Sequence, residues 1–154
     1  QGATQASSDR LIFLDADITV PANFLEQVIN TEFEFALPRK IQIGNGSHKL
    51  INWLNKSFQK ITKGVNITPG CCMMLGRKVF NQNPFNNELS CNEDVEIIHR
   101  LRKKHELKLI NTSIIHDDRR FSKQGYTQCF TYSLKRFINY ALTKKNLKHY
   151  KTIR

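Results

Sequence analysis

The chain has 154 residues, room for one domain of ordinary size, and 40% of them are hydrophobic, enough for a core. This composition excludes a collagenous, repetitive or wholly disordered chain, and with no apolar run near the roughly 20 residues of a membrane span and no charged-then-apolar leader, a cytoplasmic protein is expected. A formal net charge of +11 suits an anionic partner, whether phosphorylated substrate, acidic membrane surface or nucleic acid.

The chain opens on Gln1-Gly2-Ala3-Thr4-Gln5-Ala6 and runs abruptly into Leu11-Ile12-Phe13-Leu14. So sudden a start suggests a fragment or a processed product. Four apolar residues that close on Asp15 predict a buried parallel strand. Pro21 fits the first turn of a helix with Phe24, Leu25, Val28 and Ile29 on one face. Alternation of Phe33, Phe35 and Leu37 predicts a strand that stops at Pro38, followed by a strand end or loop over residues 41–46. Ser47 is placed to cap a helix carrying Leu50, Ile51, Leu54 and Phe58, on which Trp53 is expected to pack, with a place beside a ligand as the alternative.

Pro69-Gly70 leads into Cys71-Cys72-Met73-Met74-Leu75, a second buried strand, and a short helix starts at residues 76–80. The adjacent cysteines suit small buried hydrophobes, since Cys71, Cys72, Cys91 and Cys129 match no zinc spacing. Residues 81–92 are polar and predict a loop. Glu93-Asp94 then opens a helix with Val95, Ile98 and Leu101 at helical spacing and basic residues at its end. Leu107 to Ile115 predicts a strand closing on His116-Asp117-Asp118, and an amphipathic helix follows over about Tyr126 to Leu142, with Phe130, Leu134, Phe137 and Ile138 as its stripe. Alternating strands and helices predict an α/β layer fold. The expected division is a core over residues 1–126 and a basic amphipathic helix and tail over 127–154, ending in Lys144, Lys145, Lys148, Lys151 and Arg154.

Several of these boundaries carry chemistry. Asp15 and Asp17 stand where an apolar strand ends, which is where open α/β sheets bind ligands. Two carboxylates there suit a hard cation, Mg²⁺ or Mn²⁺, whose shell substrate phosphates complete. The plain structural alternative is capping of the next helix by Asp17 or Thr19. Glu93 and Asp94 suit a helix N-terminus electrostatically and also suit a general base at the mouth of a cleft. Gly70 at a strand start admits a ligand close to the backbone. His116 has the chemistry to complete a metal shell with Asp17, and Arg119 or Arg120 offers a planar donor fork to phosphate. His48, His99, His105 and His149 are expected at the surface.

Together the blocks around Asp9-Arg10 to Ile18, Pro69-Gly70 to Phe80 (with Arg77), Asn92-Glu93-Asp94 to Leu101 and Ile114-Ile115-His116, with Arg119-Arg120-Phe121, resemble family-2 glycosyltransferases of the GT-A fold. The resemblance covers roughly residues 1–126. It implies a partial GT-A (Rossmann-like) mixed sheet flanked by helices, without the N-terminal nucleoside-binding portion. It implies metal-dependent, inverting transfer of a sugar from a nucleotide sugar to an acceptor hydroxyl. Asp15 and Asp17 would be the DxD motif, contacting diphosphate and metal. Asp94 would be the catalytic base with Glu93 beside it, Gly70 would line the acceptor side, and His116 would lie near the metal. Arg119 and Arg120 would face the diphosphate. The family's Gly-Gly-Phe is here Asn83-Pro84-Phe85. The acceptor, whether saccharide, protein or lipid-phosphate, is left open. The basic tail permits an anionic membrane surface, and no nucleic acid is expected.

Other readings compete. Leu14-Asp15-Ala16-Asp17-Ile18-Thr19 also resembles the nucleophile motif of haloacid-dehalogenase-like phosphatases, with Asp15 attacking phosphate. A calcium loop over Asp15, Asp17, Thr19, Asn23 and Glu26 has Val20 where glycine is needed. A non-enzymatic basic module binding nucleic acid or lipid through the C-terminal helix is the third alternative.

Overall fold

The computed structural model describes residues 2–44, 49–61, 69–89 and 92–125, with scattered helical residues between 127 and 138. Five strands form one open mixed sheet: β1 (Arg10–Leu14), β2 (Ile18–Thr19), β3 (Phe35–Ile43), β4 (Cys72–Gly76) and β5 (Leu107–His116). Their order is β1-β4-β3-β5-β2. Around them lie α1 (Gly2–Gln5), α2 (Phe24–Ile29), α3 (Lys49–Ile61), α4 (Arg77–Gln82), α5 (Glu93–Leu101) and α6 (Arg119–Gln124). The molecule is therefore α/β, a mixed sheet flanked by helices. Among the described residues, no helix is long and apolar enough to cross a membrane.

Continuous apolar runs make β4 and the first half of β3, two of the three inner strands, because both of their faces are covered there. In β3 and β4 the side chains alternate between two cores. Ala36, Cys72 and Met74 join Phe24 and Val28 of α2 with Ile110 and Ile114 on one face. Phe35, Leu37, Met73 and Leu75 join Val79, Ile97, Ile98 and Leu101 on the other. The helical spacing in α5 placed Ile98 and Leu101 correctly, but Val95 is only half-buried and Ile97, outside the expected stripe, is fully buried. In α2 only Phe24 and Val28 go inward. Leu25 and Ile29 stay 59% and 68% exposed, because the two-turn helix offers the sheet one narrow stripe.

Three predicted elements differ in the structure. The strand at residues 11–14 is antiparallel to β4 and lies at the sheet edge, not inside a parallel ladder. Only Leu11 is buried there, and Phe13 packs against Phe80 and Phe85 at ring distances of 5.1 and 5.2 Å. Pro38 does not stop β3. The strand runs through it to Ile43, and a register shift between Pro38 and Lys40 absorbs the missing donor as a bulge. Trp53 does not pack on the body; it is 62% exposed. Ser47, the expected cap of α3, lies outside the described residues.

Two arginines hold the margins. Arg10 Nη1 donates to the carbonyls of Val28, Ile29 and Thr31, satisfying the end of α2, and its guanidinium lies 5.1 Å from the Phe33 ring centre. Arg77 donates to the carbonyls of Ala3, Ala6 and Ser8, fastening the N-terminal segment to α4.

Candidate functional site

Consecutive strands β1 and β2 are the two edges of the sheet, so the residues between them pass the three strands β4, β3 and β5 that lie between. That crossing is the Asp15-Ala16-Asp17 turn. The Ile18 amide donates to the Asp15 carbonyl at 3.2 Å and closes it. The Asp15 amide donates to the Cys71 carbonyl at 3.0 Å, and the Asp117 amide donates to the Asp17 carbonyl at 2.9 Å. Backbone bonds on both sides therefore fix the two acids over one end of the sheet. Neither Asp17 nor Thr19 caps α2, whose N-cap position is Asn23.

His116 reaches the same place on the last residue of β5, opposite Ile18. Its Nδ1 is 2.8 Å from the Asp117 carbonyl, which only accepts, so Nδ1 carries the proton. The Nε2 of a neutral ring is then an electron-pair donor, and it stands 4.0 Å from Asp17 Oδ2. Phe121 of α6 meets the ring edge-on at 6.1 Å.

Asp15 is at the surface by area, yet the protein crowds its carboxyl group. Its pKa is raised from the ordinary value of 3.8, first by desolvation, then by the charges of Asp17 and Glu93, with His116 opposing. Glu93 therefore contributes to the same electrostatic site from the start of α5. Directly beneath, burial and the Asp15 charge push the Cys72 thiol up to about 12, so it is a packing residue and not a nucleophile. Cys71, Cys72 and Cys129 are all buried, as the apolar run around Cys71 and Cys72 suggested for that pair.

The raised value has a stability consequence. A protonated Asp15 favours the folded chain fully below pH 3.8, and that contribution is lost as pH rises through the folded-state value. Asp15→Asn is accordingly expected to raise the melting temperature at pH 7 and to leave it unchanged near pH 3. The gain stays under about 1 kcal/mol, because the carboxylate reaches solvent. Thermal melts across pH check it, and a variant that is less stable at pH 7 would show that Asp15 is held by favourable partners.

Asp94 joins through Gly70. The Gly70 amide donates to Asp94 Oδ2 at 3.1 Å, and a Cβ on Gly70 would overlap the Asp94 side chain. The tight Pro69–Cys71 turn before β4 thus seats the first turn of α5. Asn92 ahead of it adopts φ 62°, a left-handed conformation that asparagine tolerates better than most residues. A second close approach brings Gly44, at φ +60°, under Asp118, where a Cβ would stand 2.5 Å from the carboxylate oxygen.

The arginines are placed differently from one another. Arg119 Nε lies 2.7 Å from Asp117 Oδ2, so part of its donor fork is engaged within its own turn. That bond and the one from the Arg119 amide hold the Asp117 pKa below the ordinary range, the amide contributing most. The side chain of Arg120 lies outside the described residues. Among those described, no three His, Cys, Asp or Glu side chains stand close enough together to hold a metal ion as they are.

Two anchors escaped the sequence reading. Arg100 grips Glu96 through two 2.8 Å bonds and donates to the Pro84 carbonyl at 2.7 Å, tying the Asn83-Pro84-Phe85 loop to α5. The four-residue spacing of Glu96 and Arg100 was its visible signal. His105, expected at the surface, pairs with Glu34 at 2.9 Å. In comparisons with protein-family models, curated proteins and solved structures, none matches the chain.

Proposed function

We propose that this sheet end is the metal and acceptor side of a GT-A-type glycosyl transfer site. The observation that carries the reading is convergence: Asp15, Asp17, Glu93 and His116 share one electrostatic site, and Gly70 holds Asp94 at the adjoining strand start.

The donor types suit a hard divalent cation, although the described side chains would have to draw closer together to hold one. Asp15 bears like-charge crowding that a cation relieves, and His116 Nε2 is an electron-pair donor on the side of Asp17. Asp15, Asp17 and His116 are the residues that would hold Mg²⁺ or Mn²⁺, leaving positions for diphosphate oxygens. When bound, the ion supplies positive charge to a departing nucleoside diphosphate. Asp94 accepts the proton of the acceptor hydroxyl as its oxygen bonds to the anomeric carbon and the bond to the diphosphate oxygen breaks, inverting the centre. The Gly70 amide fixes the carboxylate for that task, Glu93 adds negative potential on the acceptor side, and Arg119 and Arg120 favour anionic donor groups electrostatically.

Calorimetric titration of Mn²⁺ tests the reading. Weak saturable binding, strengthened by a nucleoside diphosphate and weakened at least about ten-fold in Asp15→Asn/Asp17→Asn, is expected. Binding that ignores both substitutions would remove its basis. Hydrolysis of an aryl phosphate abolished by Asp15→Asn would favour the phosphatase reading instead.

A further inference from the structure

Helix α3 carries no acidic residue over Lys49–Ile61. At about 100° per residue, Lys49, Trp53, Lys56 and Lys60 fall within an arc of about 60°. All four are exposed, Trp53 by 62%. They form a straight row about 16 Å long, with the one aromatic side chain between cations. The remaining apolar positions Leu50, Ile51, Leu54, Phe58 and Ile61 fall on the opposite side of the helical wheel. Trp53 is therefore set apart from those apolar positions on the wheel. It belongs to the cationic row.

We infer that this row docks α3 on an anionic lipid bilayer surface. A straight line of cations matches a flat sheet of negative headgroups, and lysines near such a surface strengthen attachment about five-fold each. An indole ring has an apolar body and a polar N–H, and that chemistry places it at headgroup depth between water and hydrocarbon. The net charge of +11 adds long-range attraction of the same sign. A nucleic acid fits less well. Single strands are held by successive aromatics under successive bases, and this row has one aromatic. A duplex backbone would engage the lysines alone and leave the indole without a partner. The inference is independent of the proposed chemistry at the sheet end.

The sequence contains one tryptophan, so tryptophan emission from the full chain reports on α3 alone. Vesicles of phosphatidylcholine with about one-third phosphatidylserine are expected to shift Trp53 emission to the blue. Bromine-labelled lipid in those vesicles is expected to quench it, and salt to reverse both effects. Pure phosphatidylcholine vesicles are expected to leave the emission unchanged. Lys49→Gln, Lys56→Gln and Lys60→Gln together are expected to weaken vesicle affinity on the order of 100-fold, with an unaltered circular dichroism spectrum. Three results would overturn the inference: co-sedimentation with vesicles while Trp53 is neither shifted nor quenched, wild-type affinity of the triple variant, or quenching by an oligonucleotide with vesicles silent. If the triple variant loses its circular dichroism signal, quenching of the wild-type chain by bromine-labelled lipid decides alone.

Discussion

Gly70→Ala is expected to lower the melting temperature by roughly 5 °C, from an overpacking cost of about 1–3 kcal/mol in a chain of this length. The new methyl group would occupy space taken by Asp94, whose Cβ is among the atoms it meets. A Cβ cannot rotate away as a side-chain tip can, so relief requires the start of α5 to move. That shift would stretch the 3.1 Å bond from the Gly70 amide to Asp94 Oδ2 and displace the carboxylate from the site. Gly76→Ala, at the far end of the strand that follows, is the control. Its Cβ would meet nothing nearer than the Glu34 carbonyl oxygen at 3.6 Å, an ordinary contact, and a near-neutral melt is expected. Equal melting of the two variants would mean that Asp94 is not seated against Gly70.

Asp94→Asn separates chemistry from seating. The amide oxygen of asparagine still accepts the Gly70 N–H, so the fold keeps the contact and loses only its charge-assisted part and some helix-dipole attraction. Melting within about 3 °C of wild type is expected. Transfer from a nucleotide sugar by a protein containing this chain is expected to fall by about 10²–10⁴, the contribution of a positioned base. Mn²⁺ affinity is expected to be unchanged, because the charges that crowd Asp15 are those of Asp17 and Glu93. Transfer at the wild-type rate would remove Asp94 from the mechanism and leave the carboxylate as a helix-start residue.

Where one side chain per position decides the outcome, the sequence was readable. The run from Cys72 to Leu75 was read as a buried strand and is one, and Ile98 and Leu101 face a core as their spacing suggested. Asp15, Asp17, Gly70, Glu93, Asp94 and His116 mark strand ends or a helix start, and the topology gathers those boundaries at one end of the sheet. What failed depended on neighbours. Periodicity does not say whether β1 has a partner on one side or two, so a buried parallel strand was expected where an antiparallel edge strand lies. Pro38 breaks a ladder unless a bulge sits beside it, and a bulge is a property of two strands. Trp53 was assigned to packing because large aromatics usually pack, although the lysines at its own helical spacing set it on the other face. The two-residue β2 exists only because β5 offers it a ladder. Arg119 was legible as a cation but not as a partner of Asp117, two residues before it.

The edge position of β1 has a consequence for handling the chain. The bonds from Asp15 to Cys71 and from Arg77 to Asp9 turn the odd-numbered residues of β1 toward β4, so the peptide groups of Ile12 and Leu14 point outward. Their side chains are 37% and 44% exposed. Among the described residues nothing pairs with the outward edge of this short ribbon, and such a margin with greasy flanks is a template for self-association that natural sheets guard with charge. Here the charge on the same face as Ile12 and Leu14, Arg10, is folded back onto the end of α2, and the exposed charges are left to Asp9 and Asp15 at the strand's two ends. Concentrated solutions of this chain are thus exposed to edge-to-edge aggregation through β1, and a lysine at position 12 is the simplest gatekeeper to add.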